Sequence, residues 1–366
     1  MATLFFGGDV MLGRGVDQIL PYPGDPALRE PYIRDARAYV ELAEAVNGPI
    51  PRPAGFSWPW GEALETLDTA APDARIINLE TSVTQDGAFA PGKDIHYRMN
   101  PANLPCLTAA RPDVCVLANN HVLDFGLRGL DETLATLAGA GLRTAGAGRN
   151  ADEAGRPAVV PLEGGGRVLV LACGMPSAGV PHEWGATGEH GGVDFVPGPS
   201  GPAAARIGAR LGQVKRAGDI AVVSVHWGPN WGYEVSPGEV GFAHALVDAG
   251  TDIVFGHSSH HPRPMEVYRG RPVLYGCGDL VDDYEGIRGY ERYRDDLRLL
   301  HLVTLEPDTS AAADVRMVPF QARRMRLVHA TPEDSAWLRD VLERAGQDFG
   351  SRFEREPDGT LVLRPA

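Results

Sequence analysis

The feature that most constrains this chain is a series of short apolar runs, each closed by polar residues able to bind metal or move protons. Runs at 3–8, 74–78, 114–118, 220–225 and 253–256 end in Gly8-Asp9, Asn78-Leu79-Glu80, Asn119-Asn120-His121, His226-Trp227-Gly228 and Gly256-His257-Ser258-Ser259-His260. Apolar runs of this length read as buried strands. In α/β sheets the carboxyl ends of such strands form the crevice where ligands bind, so separate segments can deliver their side chains to one place. Further strands are expected at 167–172, 265–268, 272–275, 299–305 and 313–319, with helices at 127–140, 202–217, 237–249 and 332–346. The last helix opens on Thr331-Pro332-Glu333-Asp334, a cap, a first-turn proline and acids at the positive end. Arg269-Gly270 between 265–268 and 272–275 predicts a hairpin, which makes the sheet mixed.

The 366 residues are read as one α/β domain over 1–366, with Pro/Gly-rich loop insertions at about 21–60 and 176–202 that lack clear periodicity. A composition of 43% hydrophobic and 22% charged residues excludes disordered and fibrous classes. The net charge of −14 repels phosphate backbones and argues against a nucleic-acid partner. The basic residues are nearly all arginine, with lysine only at Lys93 and Lys215. Cys106, Cys115, Cys173 and Cys277 form no CxxC pair, so buried free thiols are expected. No stretch of about 18 apolar residues exists, and Met1 runs straight into Leu4-Phe5-Phe6, so a cytoplasmic protein with no membrane anchor is expected.

Carboxylates, an amide oxygen and imidazoles together suit zinc, manganese or iron better than calcium. The motifs Gly8-Asp9-Val10-Met11-Leu12-Gly13-Arg14, Asn78-Leu79-Glu80-Thr81, 118–126, Val225-His226-Trp227-Gly228 and 256–260 resemble those of the poly-γ-glutamate capsule biosynthesis (CapA-type) proteins. That family is a divergent branch of the calcineurin-like metallophosphoesterases, and the resemblance extends over almost the whole chain. It implies a four-layer αββα sandwich with two mixed β-sheets. It implies metal ligands at Asp9, Glu80, Asn120, His226, His257 and His260, an acid at His121 oriented by Asp124, and a divalent transition metal in one site with a second, weaker one. The chain departs from the superfamily by having Met11 in place of the histidine of Asp-x-His, and His257-x-x-His260 in place of His-x-His.

Near the motifs, Arg14, Arg98 and Arg263 are candidate anchors for a carboxylate or phosphate, and Trp227 and Trp231 for an apolar substrate wall. His96, Asn230, His261, Asp279 and Asp282 lie close by in sequence. Three functions are open at this point. The first is a metal-dependent hydrolase of a phosphoester or a peptide or γ-glutamyl-type bond, with water acidified toward a pKa of about 7 and His121 protonating the leaving group. The second is a metal-dependent peptide epimerase using Asp9 and His260 as the acid-base pair. The third is a non-catalytic metal-bearing assembly protein, for which the net charge disfavours polyglutamate as a tightly held partner. The expected substrate is peptide-like or a phosphorylated small molecule.

Overall fold

The computed structural model describes residues 1–306 and 309–364. Two mixed sheets face each other. In the ten-stranded sheet, Ala2–Val10 sits between Leu297–Leu305, antiparallel to it, and Ala74–Leu79, parallel to it, with Val114–Val116 and Arg143–Ala145 following on one side. The six-stranded sheet runs Met265–Tyr268, Arg271–Leu274, Ile253–His257, Ile220–His226, Arg167–Gly174 and Ala158–Pro161. Its central strands are parallel and its two edges are antiparallel hairpins, one of them at the expected Arg269-Gly270 turn.

Alternation along the strands builds the layers, because successive side chains point to opposite faces. Leu4, Phe6, Ile76 and Val116 face Val168, Val170, Val222 and Phe255 across the space between the sheets, where the rings of Phe6 and Phe255 lie 5.0 Å apart. The opposite faces carry helices. Phe5, Ile77 and Cys115 pack with Tyr39, Leu67, Leu130 and Leu134 from the helices Arg37–Asn47, Ala63–Ala70 and Gly126–Gly139. Leu171, Val223 and Val225 pack with Ile207, Leu211, Phe242 and Leu246 from Gly201–Val214 and Pro237–Asp248. The result is the expected four-layer αββα sandwich. All four cysteines are free and buried. Among the described residues no helix is long and apolar enough to cross a membrane.

The helix Pro332–Ala345 begins as expected, with the Thr331 side chain accepting from the Asp334 amide. The stretch 21–60, read as lacking periodicity, contains the helix Arg37–Asn47, which buries Tyr39, Val40 and Ala43. That spacing of one helical face is short and flanked by prolines and glycines, which hid it. The stretch 176–202 is largely irregular, with single turns at Pro176–Ala178 and His182–Trp184 and a short strand Gly192–Val193.

Candidate metal centre

Parallel strands in both sheets finish on one side of the molecule, and their last residues meet there. His226 and His257 are register partners on neighbouring strands, and their Nδ1 atoms lie 2.8 Å apart. His226 Nε2 faces Asn120 Oδ1 at 3.1 Å and Glu80 Oε1 at 3.6 Å. Asp9 Oδ1 is 3.8 Å from His257 Nδ1. His260 Nδ1 is 3.1 Å from Asp279 Oδ1. One ligand atom from each of Asp9, His226 and His257 lies within 4.8 Å of the others, and the same holds for Asp9, His260 and Asp279. All six expected ligands therefore come together. Asp279, noted in the sequence only as lying near the motifs, is a buried member of the cluster, its Cα in register with Asp9.

Backbone and amide groups hold this arrangement. Asn78 donates to Asp9 Oδ1 at 2.7 Å, and Asn119 in turn donates to Asn78 at 3.0 Å. The Ser258 amide donates to Asp9 Oδ2 at 3.2 Å. Ser258 has φ 105, a conformation a non-glycine residue adopts only when its surroundings enforce it. This turn carries the chain from His257 to His260 and accommodates the longer His-x-x-His spacing. At Gly8, an added Cβ would lie 1.8 Å from the Gly278 carbonyl oxygen, and the Asp9 amide donates to that same oxygen at 3.0 Å. Met11, at the position of the missing imidazole, is buried.

The electrostatics are lopsided. Burial, then the charge of Asp279, pushes the Asp9 carboxyl up to about 7. Burial, then Asp9 and Asp279, pushes Glu80 well above the usual carboxylate range. Burial pulls His257 down to about 3, and burial and then His257 pull His226 well below an ordinary imidazole, so both rings are neutral and free to act as ligands. Burial also opposes the charge on His260, but Asp279 and then Asp9 outweigh it and raise its pKa. Asp279 Oδ2 is buried without a hydrogen-bond partner, and among the described residues no arginine or lysine forms an ion pair with Asp9, Glu80 or Asp279. Asp9 and Glu80, buried without an arginine or lysine and facing the neutral His226 and His257, are a donor set that fits a borderline divalent ion.

These groups open onto a cleft of about 320 Å3 lined by Glu80, Lys93, Asn120, His121, His226 and His260, among others. His121 Nδ1 lies 2.6 Å from Asp124 Oδ2. Burial brings the His121 imidazolium down to about 4, Asp124 working against it and Lys93 with it. Lys93 is the residue that sequence reasoning passed over. Its ammonium donates to Asp124 Oδ1 and to the Asn120 carbonyl, and stands 3.2 Å from His121 Nδ1. The available signal was its being a lysine in a chain that otherwise uses arginine almost throughout.

The expected substrate anchors fare differently. Arg14 is buried, with Nε 2.9 Å from Asp283 Oδ2 and Nη1 2.8 Å from Glu30, so its charge is matched by these acids. Arg98 lies over the Phe125 ring at 4.4 Å and points toward Asp25 at 3.7 Å, away from the cleft lining. Arg263 is fully buried on Glu239 at 2.9 Å. Trp227 is fully buried too, packed on Phe242 and Tyr275, because it comes directly after His226 at the end of an extended strand and turns to the other face. Asn230 does line the cleft, and Trp231 lines a smaller hollow beside it. His96 is buried on the Ala90 carbonyl at 3.0 Å, and Asp282 is buried on Arg298. Of the long insertions, the second gives Gly179 to the cleft and the first gives Tyr39 to the hollow beside it.

A family described as "Bacterial capsule synthesis protein PGA_cap" matches residues 3–284. A probable polyglutamine synthesis accessory protein of Mycobacterium tuberculosis is 53% identical over 100% of this chain and 97% of that protein. The PGA biosynthesis protein CapA of Bacillus subtilis is 27% identical over 79% of this chain and 64% of its own length. Among solved structures, a 5'-nucleotidase precursor from Thermus thermophilus aligns with a TM-score of 0.48 at 15% identity, covering 95% of this chain and 58% of that one. The chain, with its strand-end residues in the order of the CapA-type motifs, belongs to the bacterial capsule synthesis PGA_cap family.

Proposed function

We propose that this protein is a metal-dependent hydrolase acting on a phosphoester or a peptide or γ-glutamyl-type bond. The observation that carries the reading is the buried acid group Asp9, Glu80 and Asp279, unmatched by arginine or lysine and facing neutral His226 and His257 at the floor of an open cleft. Asp9, Glu80, Asn120, His226 and His257 would hold the main divalent cation, with His260 and Asp279 beside Asp9 as the poorer second set. Such a cation supplies Lewis acidity and neutralises charge that develops on the substrate.

The chain's own residues supply the proton transfers. Asp124 accepts from His121 Nδ1 and fixes the ring, leaving Nε2 for the reaction. Because burial keeps this imidazole neutral, His121 acts first as acceptor of a proton from the attacking water and then returns it to the leaving group. This reverses the order of steps that the resemblance alone implies. Lys93 orients Asp124 and offers positive charge to an anionic substrate oxygen.

A two-base epimerase at Asp9 and His260 finds less support. Bases on opposite faces of a carbon stand about 6 Å apart, twice the reach of one proton transfer. The nearest atoms of Asp9 and His260 lie within 4.8 Å, and His260 is paired with Asp279.

The test is a screen of protein loaded separately with manganese, zinc or iron against bis-p-nitrophenyl phosphate and γ-glutamyl-p-nitroanilide. Metal-dependent release that disappears in His257→Ala and His121→Ala is expected. Stoichiometric metal with no release from either substrate class would shift the reading to a metal-bearing assembly protein.

A further inference from the structure

Beside the metal centre lies a second hollow of about 220 Å3, and the two openings share Ile95, Tyr97, Asn230 and His260. Its walls are aromatic. Trp231 and Tyr290 stack with ring centroids 4.0 Å apart, and Tyr39, Tyr97 and Tyr284 complete the lining with Ile95 and Ile287. Tyr97 joins the hollow to the reaction site, since its ring stacks on His121 at 3.9 Å while its hydroxyl meets that of Tyr284 at 2.6 Å.

The cationic groups around this hollow are already engaged. His260 is paired with Asp279, and the Arg14 guanidinium is bound by Asp283 and Glu30 while lying 3.6 Å over the Tyr39 ring. All three nitrogens of Arg14 already donate to these acids, which offset its charge, and Asp295 at the lining adds a further acid. A substrate ammonium would meet the Arg14 guanidinium already on the tyrosine face. An uncharged ring meets flat aromatic surfaces and no penalty.

We propose that this hollow is a specificity subsite that seats an uncharged, ring-bearing side chain of a peptide-like substrate next to the bond held at the metal centre. The proposal rests on the hydrolase reading for its neighbouring site and narrows the substrate class. A homopolymer of glutamate would place a carboxylate among aromatic rings and beside Asp295.

The experiment is an equilibrium NMR titration of the manganese-free, zinc-loaded protein with acetyl-Gly-Tyr-amide, acetyl-Gly-Glu-amide and acetyl-Gly-Lys-amide. Stacking and burial of one ring predict that the tyrosyl peptide binds about tenfold more tightly than the other two. Trp231→Ala should erase that advantage, Trp231→Phe should restore most of it, and Tyr290→Ala, at an exposed position, should halve it or more while leaving the circular dichroism of the protein unchanged. Equal or tighter binding of the glutamyl peptide, a tyrosyl advantage untouched by Trp231→Ala and Tyr290→Ala, or no binding of any peptide would overturn the subsite. These constants are read without turnover. Failure of the hydrolase reading would instead show as stoichiometric metal without product, whatever the peptides do.

Discussion

Two clusters of buried charge lie within the same end of the molecule and are built on opposite rules. In the first, Arg14 meets Asp283 and Glu30, and Arg298 meets Asp282, so every buried acid faces a guanidinium. In the second, Asp9, Glu80 and Asp279 face imidazoles and one another. Burying a charge is costly unless it is paired. The first cluster meets that cost from within the chain and is therefore structural. The second has His260 beside Asp279 and leaves Asp9 and Glu80 without an arginine or lysine, a cost that a bound cation would meet.

The contrast can be broken by single substitutions, beginning with the largest effect. Asp283→Ala leaves the buried Arg14 guanidinium without its main partner and should lower unfolding stability by about 3–5 kcal/mol in a denaturant titration. If stability is unchanged, the first cluster is not structural. The metal content of Asp283→Ala should stay at the wild-type level in elemental analysis. His121→Ala should reduce turnover of the responsive chromogenic substrate about 100-fold or more at unchanged metal content, the scale expected for a lost proton-transfer group.

Removing metal by chelation should lower stability by about 2.7 kcal/mol when the loaded state was measured at roughly a hundredfold excess of ion over its dissociation constant. The smallest effect is the sharpest. In chelated protein, Glu80→Gln removes a carboxyl that burial and its acidic neighbours hold well above its unfolded pKa, and should raise stability at neutral pH by on the order of 1 kcal/mol. In loaded protein the same substitution removes a ligand and should lower it. A change of the same sign in both states would mean that Glu80 belongs with the self-paired cluster.

Much of this was legible in the order of residues. The strand ends named the ligands because a parallel strand buried on both faces reads as an apolar run, and its first polar residue marks where it emerges. What failed was direction. Trp227 and Arg263 stand beside ligand residues in sequence yet are buried away from the cleft, one turned by strand alternation and the other held by Glu239. Arg14 sits at the opening, but its partners come from Glu30 and Asp283, far along the chain and invisible to local reading. Asp279 was undervalued for the same reason. It enters the site through parallel pairing with Asp9 across a gap of some 270 residues, which no short motif encodes.

The contact at Gly8 has a mechanical meaning. With the Gly278 carbonyl occupying the space of a missing methyl group, the main chains carrying Asp9 and Asp279 are clamped at a fixed span. Side chains at the centre can be exchanged without moving its walls, so a lineage with this framework can change what the gap grips, and with what chemistry, while its width stays constant.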